Sequence, residues 1–297
     1  IKYTVCIVMA AILIVGTNIA FYYETEINTV LAPPIVEKES LSVASVEGQK
    51  MSQRIMEEGA VLLRNENSTL PLDKGETAKV NVFGWHSIDW LYGTGGGKVS
   101  SGGVLPEDDD FEKNIDLYKA LDSYNIEYNE ELYDMYYKYF KPYNLGRGWQ
   151  VGEIQTATKL VEPNINDKTY YSDTILKNAK EYSDTAIMVI SRLCGEGYGC
   201  PKNQPKEGPK GYTSDEERHF LEISTEEEAL LTYLGINFEN VIVLINTCNQ
   251  FELGFLETIP GIDACLYVGY TGTRAATAIP KLLYGDVSPS GRLVDTF

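Results

Sequence analysis

The sequence predicts an α/β protein: a mostly parallel sheet flanked by helices, a three-layer α/β sandwich, preceded by one N-terminal transmembrane helix. Three observations predict it. Strand-like apolar runs alternate with helical patterns along the chain. The later runs, such as Asn240-Val241-Ile242-Val243-Leu244-Ile245-Asn246, are apolar without alternation, as in strands buried on both faces. And positions 3–23 carry no charge at all.

About 21 such residues at ~1.5 Å rise span roughly 30 Å, one bilayer core. Tyr22 and Tyr23 fall where an interface would lie, Lys2 precedes the run, and Glu24 and Glu26 follow it. Positive-inside logic then places the remainder outside the cell, as a single-pass protein of the cell membrane. A cleaved signal peptide is the competing reading, but no A-x-A site follows the run. The expected division is an anchor at 1–24, a linker at 25–44 containing Pro33-Pro34, and a sandwich domain at 45–297. The first residue is Ile1 and the last are Asp295-Thr296-Phe297, which reads as a piece of a longer product.

Within the domain, helical spacing of Val46, Met51, Ile55 and Met56 leads to Gly59, a C-cap residue. Ala60-Val61-Leu62-Leu63 is a short strand, and Lys79-Val80-Asn81-Val82-Phe83 another. Residues 111–124 are amphipathic behind the acidic run Glu107-Asp108-Asp109-Asp110. Ile126-Glu127-Tyr128 is a brief strand, and the tyrosines at 133, 136, 137 and 139 read as packing. Residues 147–166 carry weak signals and are irregular. A helix at Asp173–Tyr182 feeds a strand at Thr185–Ile190. Ser214 and Glu217 have capping-box spacing and predict a helix starting there, continued or restarted at 225–234. A short helix at 251–256, a strand at 264–268 and a helix at 271–283 complete the pattern.

Composition narrows the function. With 43% hydrophobic and 23% charged residues the chain is that of a globular protein. Its net charge of −18 repels polyanions and argues against nucleic-acid binding. Only two histidines, His86 and His219, and five cysteines without a C-x-x-C pair leave a zinc site little to draw on. The loop Gly93-Thr94-Gly95-Gly96-Gly97-Lys98-Val99 suggests phosphate binding, but Val99 stands where a P-loop needs Ser or Thr and Lys98 breaks G-x-G-x-x-G. No cofactor is expected.

The stretch that carries chemistry is Ile190-Ser191-Arg192-Leu193-Cys194-Gly195-Glu196-Gly197-Tyr198-Gly199-Cys200. An apolar strand ends in a glycine loop that presents Glu196, at the strand end where ligands sit in open α/β sheets. That makes Glu196 the candidate general acid/base, with an ordinary surface carboxylate as the alternative. Asp89, Trp90, Arg192 and Tyr198 are candidates for lining a ligand subsite, each balanced by a packing role. Asn246, at the end of another strand, is a supporting candidate. Cys194 and Cys200 flank the loop and either bridge or remain free thiols.

Several segments together resemble glycoside hydrolase family 3, in its α/β-sandwich "C-terminal" domain. Glu58-Gly59-Ala60-Val61-Leu62-Leu63-Arg64-Asn65-Glu66 with Leu70-Pro71-Leu72 is similar to the domain's opening signature. Gly93 to Gly97 resembles its glycine-rich loop, and Arg192 to Tyr198 the loop with the acid/base glutamate. Tyr284-Gly285-Asp286-Val287-Ser288-Pro289-Ser290-Gly291-Arg292-Leu293 is similar to its closing signature. Many members follow Gly-Glu-Gly-Tyr with Asp-Arg, whereas Gly199-Cys200 stand here.

The resemblance implies part of a retaining, exo-acting, beta-glucosidase-like hydrolase of O-glycosyl bonds. Glu196 would be its acid/base, and an Asp nucleophile would lie on a (β/α)8 barrel beyond Phe297. The expected partners are a glycoside or oligosaccharide substrate, that barrel, and a membrane at residues 4–23. This stretch alone is expected to be inactive. The other reading is a membrane-tethered, non-catalytic carbohydrate-binding or scaffold protein of the same fold.

Overall fold

The computed structural model describes residues 2–31, 38–93, 114–143, 160–192, 201–205 and 214–297, the side chains of 38–42 excepted. The chain divides into two compact units, residues 1–48 and 49–297. The first contains α1 (Lys2–Tyr22) and α2 (Glu24–Leu31). α1 is long and apolar enough to cross a membrane by length and composition, and a signal sequence fits the same description. The segment expected as linker is helical over α2, and α3 (Lys38–Gly59) begins earlier than the expected 45.

The second unit is built on a six-stranded sheet. Its strands are β1 (Val61–Asn65), β2 (Lys79–Phe83), β3 (Glu127–Tyr128), β4 (Thr185–Ile190), β7 (Asn240–Ile245) and β8 (Ala264–Tyr267), in the order β1-β8-β7-β4-β2-β3. All neighbours are parallel except the edge pair β1 and β8. β5 (Asn203–Pro205) and β6 (Ser214–His219) form a separate antiparallel pair.

The unbroken apolar strands follow from cover on both faces. In β4 all six residues are buried. Ala186, Met188 and Ile190 pack into one core with α5 (Glu130–Phe140), α6 (Asp173–Tyr182), α7 (Thr225–Asn237) and α8 (Phe255–Thr258). Ile187 and Val189 point the other way, into a core with Met56 of α3, with α4 (Leu117–Ser123) and with α9 (Ala278–Leu283). Period-2 side chains thus feed two cores, the three-layer arrangement expected. One polar residue is buried in the middle: Asn81 of β2 donates to the carbonyls of Ala179 and Ser183 and accepts from Asn129. With its amide satisfied, it ties β2 to the end of α6 and to the start of α5 instead of costing stability.

The two ends of the domain meet. Gly291 N donates to the carbonyl of Ala60 at 3.0 Å, and a Cβ on Gly291 would lie 2.2 Å from the carbonyl oxygen of Gly59. The Pro-Ser-Gly segment therefore lies directly on the turn that leads into β1, backbone against backbone, which only glycine permits.

Three expectations are corrected. Ser214 to Glu217 is not a helix start: these residues lie in β6, paired with β5, where the side chain of Asn203 also donates to the carbonyl of Asp215. The capping box falls at the next helix, where Ser224 Oγ accepts from Glu227 N and Glu227 Oε2 accepts from Ser224 N. The helix placed at 111–124 begins only at Leu117, where the Asp116 side chain caps it by accepting from Lys119 N. The helix placed at 271–283 is a 3-10 turn at Ala275–Thr277 followed by α9.

Candidate active site at the carboxyl edge of the sheet

The parallel strands β2, β4, β7 and β8 all end on one edge, and the polar residues of the domain collect there. After β2 the chain turns at Gly84 (φ +91°), where a Cβ would lie 2.3 Å from the carbonyl oxygen of Val189. Glycine thus lets the β2 turn cross the backbone of β4, placing Trp85 and His86 beside Ser191 and Arg192. Asn246, just past β7, clamps two segments: its Oδ1 accepts from Leu91 N, and its Nδ2 donates to the carbonyls of Leu91 and Gly269.

Glu196 and Tyr198, with Cys194, Cys200 and the glycine-rich loop at 94–97, lie outside the described residues. Both approaches to the segment 193–200 are described, and both are anchored. Past β4, Ser191 Oγ donates to the carbonyl of Asn246. The carbonyl of Arg192 accepts from Thr247 Oγ1 at 2.8 Å and from Asn249 Nδ2 at 3.1 Å.

The guanidinium of Arg192 uses all five of its N–H groups. Nε donates to the carbonyl of Phe220, Nη1 to the carbonyl of Ser191 and to Glu227 Oε1, and Nη2 to the carbonyl of Glu222 and to Glu227 Oε2. The ring of Phe251 lies 4.9 Å from Cζ. Arg192 and Glu227 are 4% and 5% exposed, so this is a buried bidentate pair. Burial alone costs several kcal/mol per ion, and only this full complement of partners offsets it. With all five N–H groups engaged inside the domain, Arg192 positions the chain here. On the return side, Gln204 Nε2 donates to the carbonyls of Phe220 and Glu222, the same two that Arg192 uses.

Trp90 and Asp89 are likewise interior. Trp90 is 2% exposed, packs in the core shared with α4 and α9, and donates from Nε1 to Thr271 Oγ1 at 2.9 Å. Asp89 is 4% exposed and follows the 3-10 turn Trp85–Ser87. As placed, both side chains are almost wholly buried.

A small cavity, about 20 Å³, opens beside this edge, lined by Trp85, His86, Glu162, Arg192, Gln204 and Glu227 among others. Glu162 is the residue that sequence reading passed over. It is 3% exposed; Trp85 N donates to its Oε2 at 2.9 Å, and the hydroxyls of Tyr136 and Tyr171 lie 3.0 and 2.9 Å from its Oε1. Burial, helped by the charge of Glu227, pushes its carboxyl up to about 8 against those hydrogen bonds. Among the described residues no cluster of His, Cys, Asp and Glu is placed to hold a metal ion.

A three-layer α/β sandwich with polar groups at the carboxyl ends of its parallel strands defines the class: an open α/β domain of the kind that takes ligands at that edge. The family model of the glycosyl hydrolase family 3 C-terminal domain matches residues 60–297, and the chain belongs to that family. A beta-glucosidase from Ruminococcus albus is 33% identical over 241 residues, covering 80% of this chain and 22% of the relative. Beta-glucosidase A from Butyrivibrio fibrisolvens is 27% identical, covering 89% and 30%. Among solved structures, a beta-glucosidase from Paenibacillus barengoltzii superposes with a TM-score of 0.64 at 26% identity, covering 84% of this chain and 24% of that one. Beta-glucosidase 3B from Thermotoga neapolitana, solved with glucose, gives 0.59 at 26%, covering 84% and 30%. The chain therefore spans less than a third of the length of these relatives.

Proposed function

We propose that this domain supplies the general acid/base of a retaining, exo-acting beta-glucosidase-like hydrolase, and that Glu196 is that residue. The observation that carries the reading is the anchoring of Arg192 and Gln204, on either side of the segment with Glu196, to one pair of carbonyls at the sheet edge. A proton donor must come within hydrogen-bond reach, ~2.6–3.2 Å, of its acceptor, and anchored residues on both flanks of the segment support that reading.

The other half of the reaction belongs to an aspartate on a (β/α)8 barrel in a longer protein, consistent with relatives more than three times the length matched here. In retaining glycosidases the two carboxyl groups stand ~5 to 5.5 Å apart. The aspartate attacks the anomeric carbon while Glu196 protonates the departing glycosidic oxygen. Glu196 then takes a proton from water, which attacks the glycosyl-enzyme and restores both groups. Without the barrel the domain is inactive. Tyr198 flanks the sugar on this reading, and α1 anchors the protein with the domain on the outer side of the membrane.

The test is Glu196→Ala in the whole enzyme, with azide supplied. Turnover of an aryl β-glucoside should collapse, and azide should restore part of it while yielding the β-glucosyl azide. Undiminished activity in the variant removes Glu196 from the role. A whole protein that binds glucosides but never cleaves them supports instead a non-catalytic, carbohydrate-binding use of the same fold.

A further inference from the structure

The buried Glu162 cluster is not explained by packing alone. Three oxygens, Glu162 Oε1 and the hydroxyls of Tyr136 and Tyr171, form a closed triangle in which each is in hydrogen-bond contact with the other two. Each tyrosine has one hydroxyl hydrogen, so together they supply two hydrogens for three contacts. The third has to come from the carboxyl. With Oε1 as a hydroxyl, each oxygen donates once and accepts once around the ring. Oε2 is then the carbonyl oxygen, and it accepts from Trp85 N. As a carboxylate, Glu162 would leave one contact with no hydrogen in it, on a side chain only 3% exposed.

The charged and titratable groups around it agree. Tyr136 faces it from α5 and Tyr171 from the segment before α6, and both are buried, which holds them neutral. Glu227 on α7 opposes a second negative charge. Arg192 is committed to Glu227 with both Nη groups, and His86 lines the same cavity.

We propose that Glu162 sits in this fold as a neutral carboxylic acid and acts as a positioning residue, linking the turn at Gly84 and Trp85 to Tyr136 and Tyr171, so that loss of its proton breaks the hydroxyl ring that seats it there. The consequence for turnover rests on the reading of this edge as the glycosidase site; the protonation itself does not.

Infrared spectroscopy of the intact protein at neutral pH tests the protonation. It should show a carboxylic-acid C=O band that fades in alkali and is missing from Glu162→Gln. Wild-type protein without such a band, or an identical band in both proteins, overturns the proposal. Positioning is tested in the whole enzyme by the alkaline limb of kcat/KM. Glu162→Gln keeps a neutral donor and acceptor, so it should retain neutral-pH turnover within about threefold and flatten the tenfold-per-unit fall assigned to one proton. Glu162→Leu should not rescue. An unchanged alkaline limb in Glu162→Gln contradicts the positioning role. If Glu196→Ala stays active, the glycosidase reading fails while the infrared result stands on its own.

Discussion

Arg192 and Gln204 donate to the same two main-chain carbonyls, those of Phe220 and Glu222. Two points of the chain, one before and one after the segment with Glu196, thus share one pair of acceptors on the connection between β6 and α7. Shared acceptors couple the two approaches: a shift of the Phe220–Glu222 backbone moves both ends together. Gln204→Leu removes two donors, but Arg192 still satisfies both carbonyls, so stability should fall by only about 1 kcal/mol. In the whole enzyme kcat should fall about tenfold with KM nearly unchanged, because positioning of the proton donor is lost. Denaturant unfolding and steady-state kinetics check the two halves.

Arg192→Ala leaves Glu227 buried without its cation. The expected loss is ~3–5 kcal/mol, the cost of breaking one side of a buried pair. Arg192→Lys should recover little of it, because a point charge with three donors cannot fill five positions in a plane. Chemical denaturation of the three proteins decides this, and an Arg192→Lys protein as stable as wild type would contradict it.

Glu162 sets a pH dependence of stability. Its carboxyl is raised to about 8 in the fold by burial, above the ordinary value near 4.3 of an unfolded chain. The folded state therefore binds more protons between those values, and the contribution of this group falls as pH rises through that window and levels off above it. Glu162→Gln should be less sensitive to pH over the same range. Thermal unfolding at a series of pH values measures the difference.

Gly291→Ala should weaken the closure of the domain. Its Cβ would meet the Gly59 carbonyl oxygen at 2.2 Å, and the obstacle is backbone, so the segment must move away and strain its bond to Ala60. A loss of about 1–3 kcal/mol is expected, the usual cost of overpacking. A protein of wild-type stability would mean that the closing segment is looser than its contacts imply.

Much of this was legible in the residues. The apolar runs at Thr185–Ile190 and Asn240–Ile245 mark strands covered on both faces, and β4 and β7 occupy those spans. The helix at Asp173–Tyr182 also lies where its pattern put it. The capping box was misplaced because Ser214 and Glu217 have the same spacing as Ser224 and Glu227; only the pairing of β6 with β5 separates the two. Arg192 draws notice in the sequence because it ends a strand, and Trp90 because it precedes the glycine-rich loop. Sequence does not record that Glu227, Phe220 and Glu222 return to engage the guanidinium, nor that Thr271 satisfies the indole. Glu162 carried no signal at all, since it lies in a segment without periodicity and its partners come from α5 and the approach to α6.

The central claim is that Glu196 gives a proton to the departing sugar oxygen, and leaving-group dependence tests it most directly. In the whole enzyme, Glu196→Ala should cleave a dinitrophenyl β-glucoside, whose leaving group needs no proton, within about tenfold of the wild-type first step. On an alkyl β-glucoside or cellobiose the same variant should lose on the order of 10²–10⁴, the usual worth of general acid catalysis. Equal losses on both substrates, or none on either, would contradict the account.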